Sequence, residues 1–255
     1  MEKRDKWDAE NYRKNSSSQF EGAMSFVNKY KFKGNEAILD VGCGDGRISA
    51  EIAKKVPQGF VVGVDVSTSM INLAKKSFSN VKNLEFIQED ISKFCSDKKL
   101  DLVCSFSTFH WVKDKLNALK NIYKMLKPQG ELFIFTTVKN DKSEIARVSS
   151  SPKWKSQIKE SYFHAISAED AKKLLETVGF KNFEVKTEIR EVIYNSKEDL
   201  FDWMKVWIPH SVDLHSEKIE EYMNDIVEEY CKGKDLSKGK INRRNFVMKI
   251  YAKKD

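Results

Sequence analysis

From residue 37 to residue 135 short apolar runs alternate with stretches of helical periodicity, and few architectures accommodate that alternation. Residues 37–41, 60–64, 84–87, 100–106 and 131–135 read as five strands. Between them, Ile48, Ile52, Ala53 and Val56 recur at helical spacing, as do Met70, Ile71, Ala74 and Phe78 behind the capping residue Ser67. A further helix carries Leu119, Ile122, Tyr123 and Leu126; Asp114 caps it and Lys127-Pro128-Gln129-Gly130 stops it. Strands alternating with helices of this length build βαβ units. The expected class is therefore α/β, with a parallel sheet and right-handed crossovers.

The flanks follow a different pattern. Phe20, Met24, Val27 and Tyr30 predict a leading helix, opened by Ser18 with Glu21 as a capping box. Residues 139–163 are polar and aperiodic and read as loop. Ser167 then caps a helix bearing Ala171, Leu174, Leu175 and Val178, closed by Gly179. Residues 183–193 alternate as a strand, residues 200–207 and 219–230 read as helices, and residues 245–252 form a last strand. The count is seven strands in one domain spanning 1–255. It divides into a helical cover (1–34), a cofactor-binding core (35–138) and a substrate-side half with a helical lid (139–255). The apolar stripe of the 219–230 helix is expected to pack on the domain, and either a monomer or a homodimer is compatible with it.

Composition excludes several classes. With 16 Phe, 8 Tyr and 5 Trp the chain has ample apolar surface to bury, so it is not a disordered protein. No apolar run approaches the roughly 20 residues that span a bilayer. Met1-Glu2-Lys3-Arg4-Asp5-Lys6 leads into no apolar stretch, so no secretory signal is expected. Cys43, Cys95, Cys104 and Cys231 have neither CxxC spacing nor a His/Cys cluster; a zinc site is not expected, and a reducing cytoplasmic location is. The net charge of +7 equals that of residues 232–255 alone, which hold nine basic and two acidic residues. The rest of the chain is balanced, which speaks for a soluble surface with a basic tail and against a nucleic-acid partner.

The chemistry concentrates at Asp40-Val41-Gly42-Cys43-Gly44-Asp45-Gly46, where the first strand turns into a helix. Alternate glycines let the backbone turn tightly and let a ligand approach it. The loop lies at the carboxyl end of a strand, where open α/β sheets bind ligands. Asp65 ends the second strand, where a carboxylate can accept both hydroxyls of a ribose, and Asp90 ends the third, within reach of an adenine amino group. A dinucleotide fingerprint is GxGxxG and seats a pyrophosphate on a helix N-terminus. Here the third glycine comes one residue early, and Asp40 and Asp45 place negative charge at the loop. That charge suits a ligand carrying an ammonium and a sulfonium.

On these residues the chain resembles the class I S-adenosylmethionine-dependent methyltransferases. Asp40 to Gly46 looks like their first motif, Asp65 like the ribose acid and Asp90-Ile91 like the adenine-side motif. Ser107-Thr108-Phe109-His110-Trp111 and Lys127-Pro128-Gln129-Gly130 match as well. Trp7-Asp8-Ala9-Glu10-Asn11-Tyr12, His110-Trp111-Val112, Phe163-His164-Ala165-Ile166-Ser167 and Asp202-Trp203-Met204 extend the resemblance to carboxyl methyltransferases of the trans-aconitate and juvenile-hormone-acid type. Malonyl-carrier-protein methyltransferases share much of this second set. The resemblance implies a Rossmann-like sheet of order 3-2-1-4-5-7-6, its last strand antiparallel, with helices on both faces. It also implies S-adenosyl-L-methionine as cofactor and S-adenosyl-L-homocysteine as product. Cofactor contacts are expected from Tyr12, Asp40, Gly42, Cys43, Gly44, Gly46, Asp65, Val66, Met70, Asp90, Ile91 and Ser105.

Methyl transfer from a sulfonium is an in-line displacement, so alignment and exclusion of water carry most of the catalysis. A carboxylate acceptor is already ionised at neutral pH and needs neither a general base nor a metal. A phenol, amine or carbon acid would need a base, and His110 is then the first choice. Gln19, His110 and Trp111 are the candidate catalytic residues, each weighed against plain packing or a surface role. Trp7 and Tyr12 can close over the cofactor, and Trp203, Trp207 or His210 can line an acceptor pocket. Arg190, Arg243 and Arg244 can pair a carboxylate, although strand-borne arginines are usually solvated. The expected function is O-methylation of a small-molecule carboxylic acid. The alternatives are a carrier-protein-bound acid or a cofactor-binding protein without turnover. A nucleic-acid methyltransferase would show Asn/Asp-Pro-Pro-aromatic after the fourth strand; Ser105-Phe106-Ser107-Thr108-Phe109 stands there instead.

Overall fold

The computed structural model describes residues 7–233 and 240–255. The N-terminal residues 1–6 and part of the basic segment therefore lie outside the described residues. Two helices lead, α1 (Ala9–Asn15) and α2 (Ser17–Val27). The alternating core follows as β1 (Ala37–Val41), α3 (Arg47–Lys55), β2 (Phe60–Asp65), α4 (Thr68–Ser77), β3 (Leu84–Gln88), β4 (Leu100–Phe106), a 3-10 turn (Phe109–Trp111), α5 (Lys115–Met125) and β5 (Leu126–Thr137). The remainder is α6 (Glu144–Ser149), α7 (Pro152–Lys155), α8 (Ala168–Val178), β6 (Asn182–Tyr194), α9 (Lys197–Lys205), α10 (Ile208–Ser211), α11 (Ser216–Cys231) and β7 (Ile241–Lys253).

The seven strands form one sheet of order β3-β2-β1-β4-β5-β7-β6. The β1–β2, β1–β4, β2–β3 and β4–β5 pairs are parallel, and β7 runs antiparallel to both β5 and β6. Central strands of a parallel sheet are covered on both faces, which is why β1 is buried at every position. Its side chains alternate between two cores. Leu39 and Val41 join Val103, Leu119, Ile122 and Met125 on one face, while Ile38 joins Ile52, Val61, Leu102 and Phe133 on the other.

The hairpin of β6 and β7 outruns the sheet. Pairing of β5 with β7 stops at Thr137 and Val247, yet β6 and β7 stay paired from there to Tyr194 and Ile241. This two-stranded ribbon projects past the carboxyl edge of the sheet. A third core of Trp154, Leu200, Met204, Tyr222, Met223 and Ile226 packs with it to form a lid.

The structure corrects four readings. Strand β5 begins at Leu126, so Leu126 and Lys127-Pro128-Gln129-Gly130, read as the end and stop of a helix, lie in the strand, and α5 ends at Met125. The helix expected from Ser18 to Tyr30 runs from Ser17 to Val27 behind a separate helix, α1, and Ser18 bonds Gln19 through its hydroxyl instead of building a capping box with Glu21. Ser16 is fully buried and accepts from Arg47 Nη2 at 2.6 Å, so its hydroxyl does not cap α2 either. Residues 139–163 contain α6 and α7, of six and four residues, too short to show a period. Strand β7 starts at Ile241, four residues before the segment 245–252 read as the strand, because Asn242, Arg243 and Arg244 carry no apolar signal.

Candidate cofactor and acceptor site

The glycine loop closes over the carboxyl end of β1. Gly42 N–H and Cys43 N–H both donate to Val64 O, at 2.7 and 3.1 Å, which ties the loop to β2. Gly42, Gly44 and Gly46 have φ of +72°, +53° and +80°. They do different work. A Cβ at Gly42 would lie 2.0 Å from Thr108 Cγ2, and one at Gly46 would lie 2.6 Å from the Phe86 ring. Both are packing glycines. Only Gly44 faces open space, where a Cβ would come no closer than 3.8 Å to Tyr12. Of the three, Gly44 has the most open backbone; Gly42 also lines the cavity, and Gly46 does not.

Asp65 sits beside it at the end of β2. Its carboxylate accepts from Gly44 N–H at 2.9 Å and from Ser67 N–H at 2.9 Å, which fixes its orientation. Val66 next to it is 59% exposed, an apolar side chain with room for a flat ring against it. The Trp7 and Tyr12 rings meet edge to face at 5.9 Å over this end, and Ser69 Oγ donates to Trp7 O at 2.7 Å.

The negative charge expected at the loop is largely absorbed. Arg13 and Arg47 grip the Asp45 carboxylate at 3.0 and 2.6 Å, so Asp45 supports the loop and offers no free charge to a ligand. Asp40 is buried and accepts from Ser49 Oγ at 2.6 Å. Burial pushes its carboxyl up to about 7; the Ser49 hydrogen bond opposes this and the Asp65 charge adds to it. A carboxyl raised above its ordinary value of 3.8 favours the folded state while protonated. That contribution is complete below pH 4 and is lost as pH rises through about 7. Asp40→Asn is thus expected to gain stability relative to the parent between pH 5 and pH 8, by on the order of 2–3 kcal/mol. Thermal melts of both proteins at the two pH values check this.

One cavity of about 510 Å³ gathers most of the residues singled out from the sequence. Tyr12, Gly42, Gly44, Asp65, Val66 and Met70 line its cofactor end, and Gln19, His110 and Trp111 line its middle. Asp40, Cys43, Gly46, Asp90, Ile91 and Ser105 do not line it. Cys43 is buried against Ile71, Ala74 and Phe86, and burial pushes its thiol up. Ser105 Oγ donates to Val41 O at 2.9 Å, bracing β4 on β1. Asp90 Oδ1 accepts from Ser92 N–H at 2.9 Å in a turn, and Ile91 belongs to the main core.

His110 is 7% exposed on the 3-10 turn after β4. Its Nδ1 lies 3.0 Å from Thr136 Oγ1 and accepts from Thr137 N–H at 3.4 Å. This pattern assigns the proton to Nε2. Burial, and then the Lys115 charge, push the imidazole down to about 3, so it is neutral at working pH. Trp111 meets Trp7 edge to face at 5.7 Å, and Trp7 stacks on His210 at 4.1 Å. The N-terminal segment is thereby joined to both the core and the lid. Trp203 and Trp207 also line the cavity.

The arginines separate. Arg190 is held by Glu188 at 2.6 Å, Arg244 is exposed, and Arg243 is 7% exposed inside the cavity. The pattern of a solvated strand arginine fails for Arg243 because the lid helices close over the ribbon that carries it. Tyr194 and Tyr230, which flank it, were not singled out either; as residues ending apolar segments they read as core.

A sheet of this order, with a glycine loop and a strand-end acid at its carboxyl edge, defines a class I methyltransferase fold with its cofactor cleft. A family profile described as a methyltransferase domain matches residues 32–202. Juvenile hormone acid O-methyltransferase of Bombyx mori is 26% identical over 96% of this chain and 97% of its own length. Malonyl-[acyl-carrier protein] O-methyltransferase 2 of Ilyobacter polytropus is 27% identical over 78% of this chain and 77% of that protein. Putative methyltransferase 235L of Invertebrate iridescent virus 6 is 33% identical over 52% of this chain, and the chain spans about half (49%) of its length. Phosphoethanolamine N-methyltransferase 2 of Haemonchus contortus, solved with S-adenosyl-L-methionine, shares the fold at a TM-score of 0.65 and 16% identity. That match covers 97% of this chain and 57% of the solved one. The chain belongs to the methyltransferase-domain family and is an S-adenosylmethionine-dependent methyltransferase.

The residues present fit that cofactor. The open backbone at Gly44 and the fixed carboxylate of Asp65, which lines the cavity, suit an amino-acid moiety beside a ribose, with exposed Val66 ready for the adenine face. Among the described residues no helix is long and apolar enough to cross a membrane.

Proposed function

We propose that this enzyme methylates the carboxylate of a small-molecule acid without using a general base. The observation that carries this reading is His110, a buried ring that is neutral at working pH and bears its proton on Nε2. A ring in that state donates a hydrogen bond and is a poor proton acceptor. An amine or a phenol needs a proton removed on the way to product; an ionised carboxylate needs only to be held. S-adenosylmethionine, when bound, supplies an electrophilic methyl group on a sulfonium. Around it the chain positions and excludes. Gly44 and Asp65 hold the cofactor end, the Trp7, Tyr12 and Trp111 rings keep water out, and His110 with Gln19 orients the acceptor. Orientation of this kind lowers a barrier by roughly 7–11 kcal/mol. The relatives named for juvenile hormone acid and for malonyl-carrier protein support the same acceptor chemistry.

His110→Ala removes one donor and leaves the cofactor end untouched. It is expected to lower kcat/KM about tenfold, the worth of one buried hydrogen bond, with S-adenosylhomocysteine affinity unchanged. The test of the function itself is transfer of a labelled methyl group to a panel of acids, amines and phenols. Label on acids alone supports the reading, and label on amines or phenols alone overturns it.

The basic segment at residues 232–255 favours a second reading, an acid carried on an acidic protein. Binding would then weaken steeply as salt rises, since exposed charges are screened within about 10 Å at 0.1 M. Turnover of free acids that is insensitive to salt would rule this out.

A further inference from the structure

Most buried carboxylates and cations of this protein are held by an ion pair or a short hydrogen bond within the fold. Asp40 has Ser49, Asp45 has Arg13 and Arg47, Glu36 accepts from Lys33 N–H and Gly34 N–H, and Lys115 donates to Val112 O. Arg243 is 7% exposed, yet among the described residues no carboxylate oxygen lies within 4 Å of it and its Nε meets no acceptor. Its guanidinium lies over the Trp203 ring at 4.0 Å and beside the Tyr194 and Tyr230 phenols. Burial raises both phenols, and the Arg243 charge together with hydrogen bonding from Arg243 opposes both shifts, so its polar neighbours are neutral phenols and not a counter-ion. A buried charge is expensive unless it is paired. A guanidinium inside a ligand cavity with neutral phenols beside it and no counter-ion is a site for an anion, and its planar fork suits a carboxylate.

Its place in the fold shows which carboxylate. Arg243 sits on the projecting ribbon opposite Val192, four residues beyond Val247 and thus roughly 13 Å past the sheet edge along the strand. His110 sits at that edge, against Thr136. A file of aromatic rings stands between them. Trp203 lies 5.1 Å from Trp207, Trp207 lies 6.1 Å from Phe163, and Phe163 lies 4.8 Å from His110. The cavity therefore has a donor at one pole, an apolar aromatic wall, and a cation without a counter-ion at the other pole.

We infer that the acceptor carries two acidic groups. One carboxylate is methylated at the His110 pole, and a second, left unmodified, is anchored by Arg243 across an apolar spacer. The inference rests on the carboxyl reading above and goes beyond it in naming the substrate class, an apolar diacid. Arg243 is a binding residue for the remote group and takes no part in the transfer.

The test is calorimetric titration of the full chain saturated with S-adenosylhomocysteine. The probes are α,ω-dicarboxylic acids and the monocarboxylic acids of equal length. The expected result is that one chain length of diacid binds at least tenfold tighter than its monoacid. Arg243→Gln erases that difference, with monoacid and S-adenosylhomocysteine affinities unchanged, and Arg243→Lys keeps part of it. Equal binding of diacids and monoacids by the parent protein overturns the inference, whether or not Arg243→Gln folds. So does a diacid preference that survives in Arg243→Gln. Because the readout is binding, failure of the carboxyl reading is seen separately: a protein that prefers diacids through Arg243 but transfers label only to amines keeps this site and loses that function.

Discussion

Asp65→Ala is expected to weaken S-adenosylhomocysteine binding by about 5- to 150-fold, equivalent to about 1–3 kcal/mol. Two losses combine in that figure. The hydroxyls that a ribose presents at the end of β2 lose their acceptor, and a buried hydroxyl without a partner costs the desolvation it has undergone. Gly44 N–H also loses the carboxylate it donates to at 2.9 Å, so the one loop residue with an open face is freed to move. The fold should survive, because Asp65 is only half-buried and its other partner is the backbone of Ser67 at the start of α4. Calorimetric titration of parent and variant reads the change. Unchanged affinity would remove the ribose role from Asp65 and, with it, the placing of the cofactor along the β1–β2 edge.

The second large effect is on stability. Gly42→Ala is expected to destabilise the protein by on the order of 3 kcal/mol, the cost of overpacking a tight site. The added Cβ would fall 2.0 Å from Thr108 Cγ2, and Thr108 cannot swing aside freely because its Oγ1 bonds both Gly42 O and Phe106 O at 3.1 Å. The φ of +72° adds backbone strain. For a chain of this size the melting temperature should fall by roughly 6–12 °C. Thr108→Gly in the same chain removes the obstructing atoms, so the double variant should recover part of the loss. A Gly42→Ala protein that melts with the parent would show that the loop is looser than its contacts indicate. The consequence for function is indirect: Gly42 fixes the approach of β4 to the loop, and Gly44 then offers its backbone to the cofactor.

The core elements were legible because each carried its own local signal. β4 was read to its ends from a largely apolar run interrupted by Asp101 and Ser105, and α8 from Ser167 at one end and Gly179 at the other. Their order in the sheet came from family resemblance, since periodicity gives elements and not neighbours. The cofactor end was partly legible. Gly44 and Asp65 meet as the motif implies, while Gly42 and Gly46 also sit against Thr108 and Phe86, Asp90 closes a turn with Ser92, and Ile91 joins the main core. A glycine pattern does not say which face of the loop each position shows. The charge at Asp45 was misjudged although Arg47 stands two residues on, because spacing does not show which way its side chain turns, and the second cation, Arg13, is 32 residues away in sequence. The acceptor end was least legible. Arg243 stands in a run of polar residues that reads as solvated, and only the closure of α9 and α11 over the ribbon buries it. Long-range closure of this kind leaves no periodic mark.

The central claim is that the methyl group ends on a carboxylate oxygen. The most direct measurement is to transfer a labelled methyl group to an acid acceptor and treat the isolated product with mild alkali. A methyl ester hydrolyses and releases the label as volatile methanol, which is the result expected here. Label that stays bound to the product under alkali would place the methyl group on nitrogen, carbon or an ether oxygen, and would contradict the role given to His110.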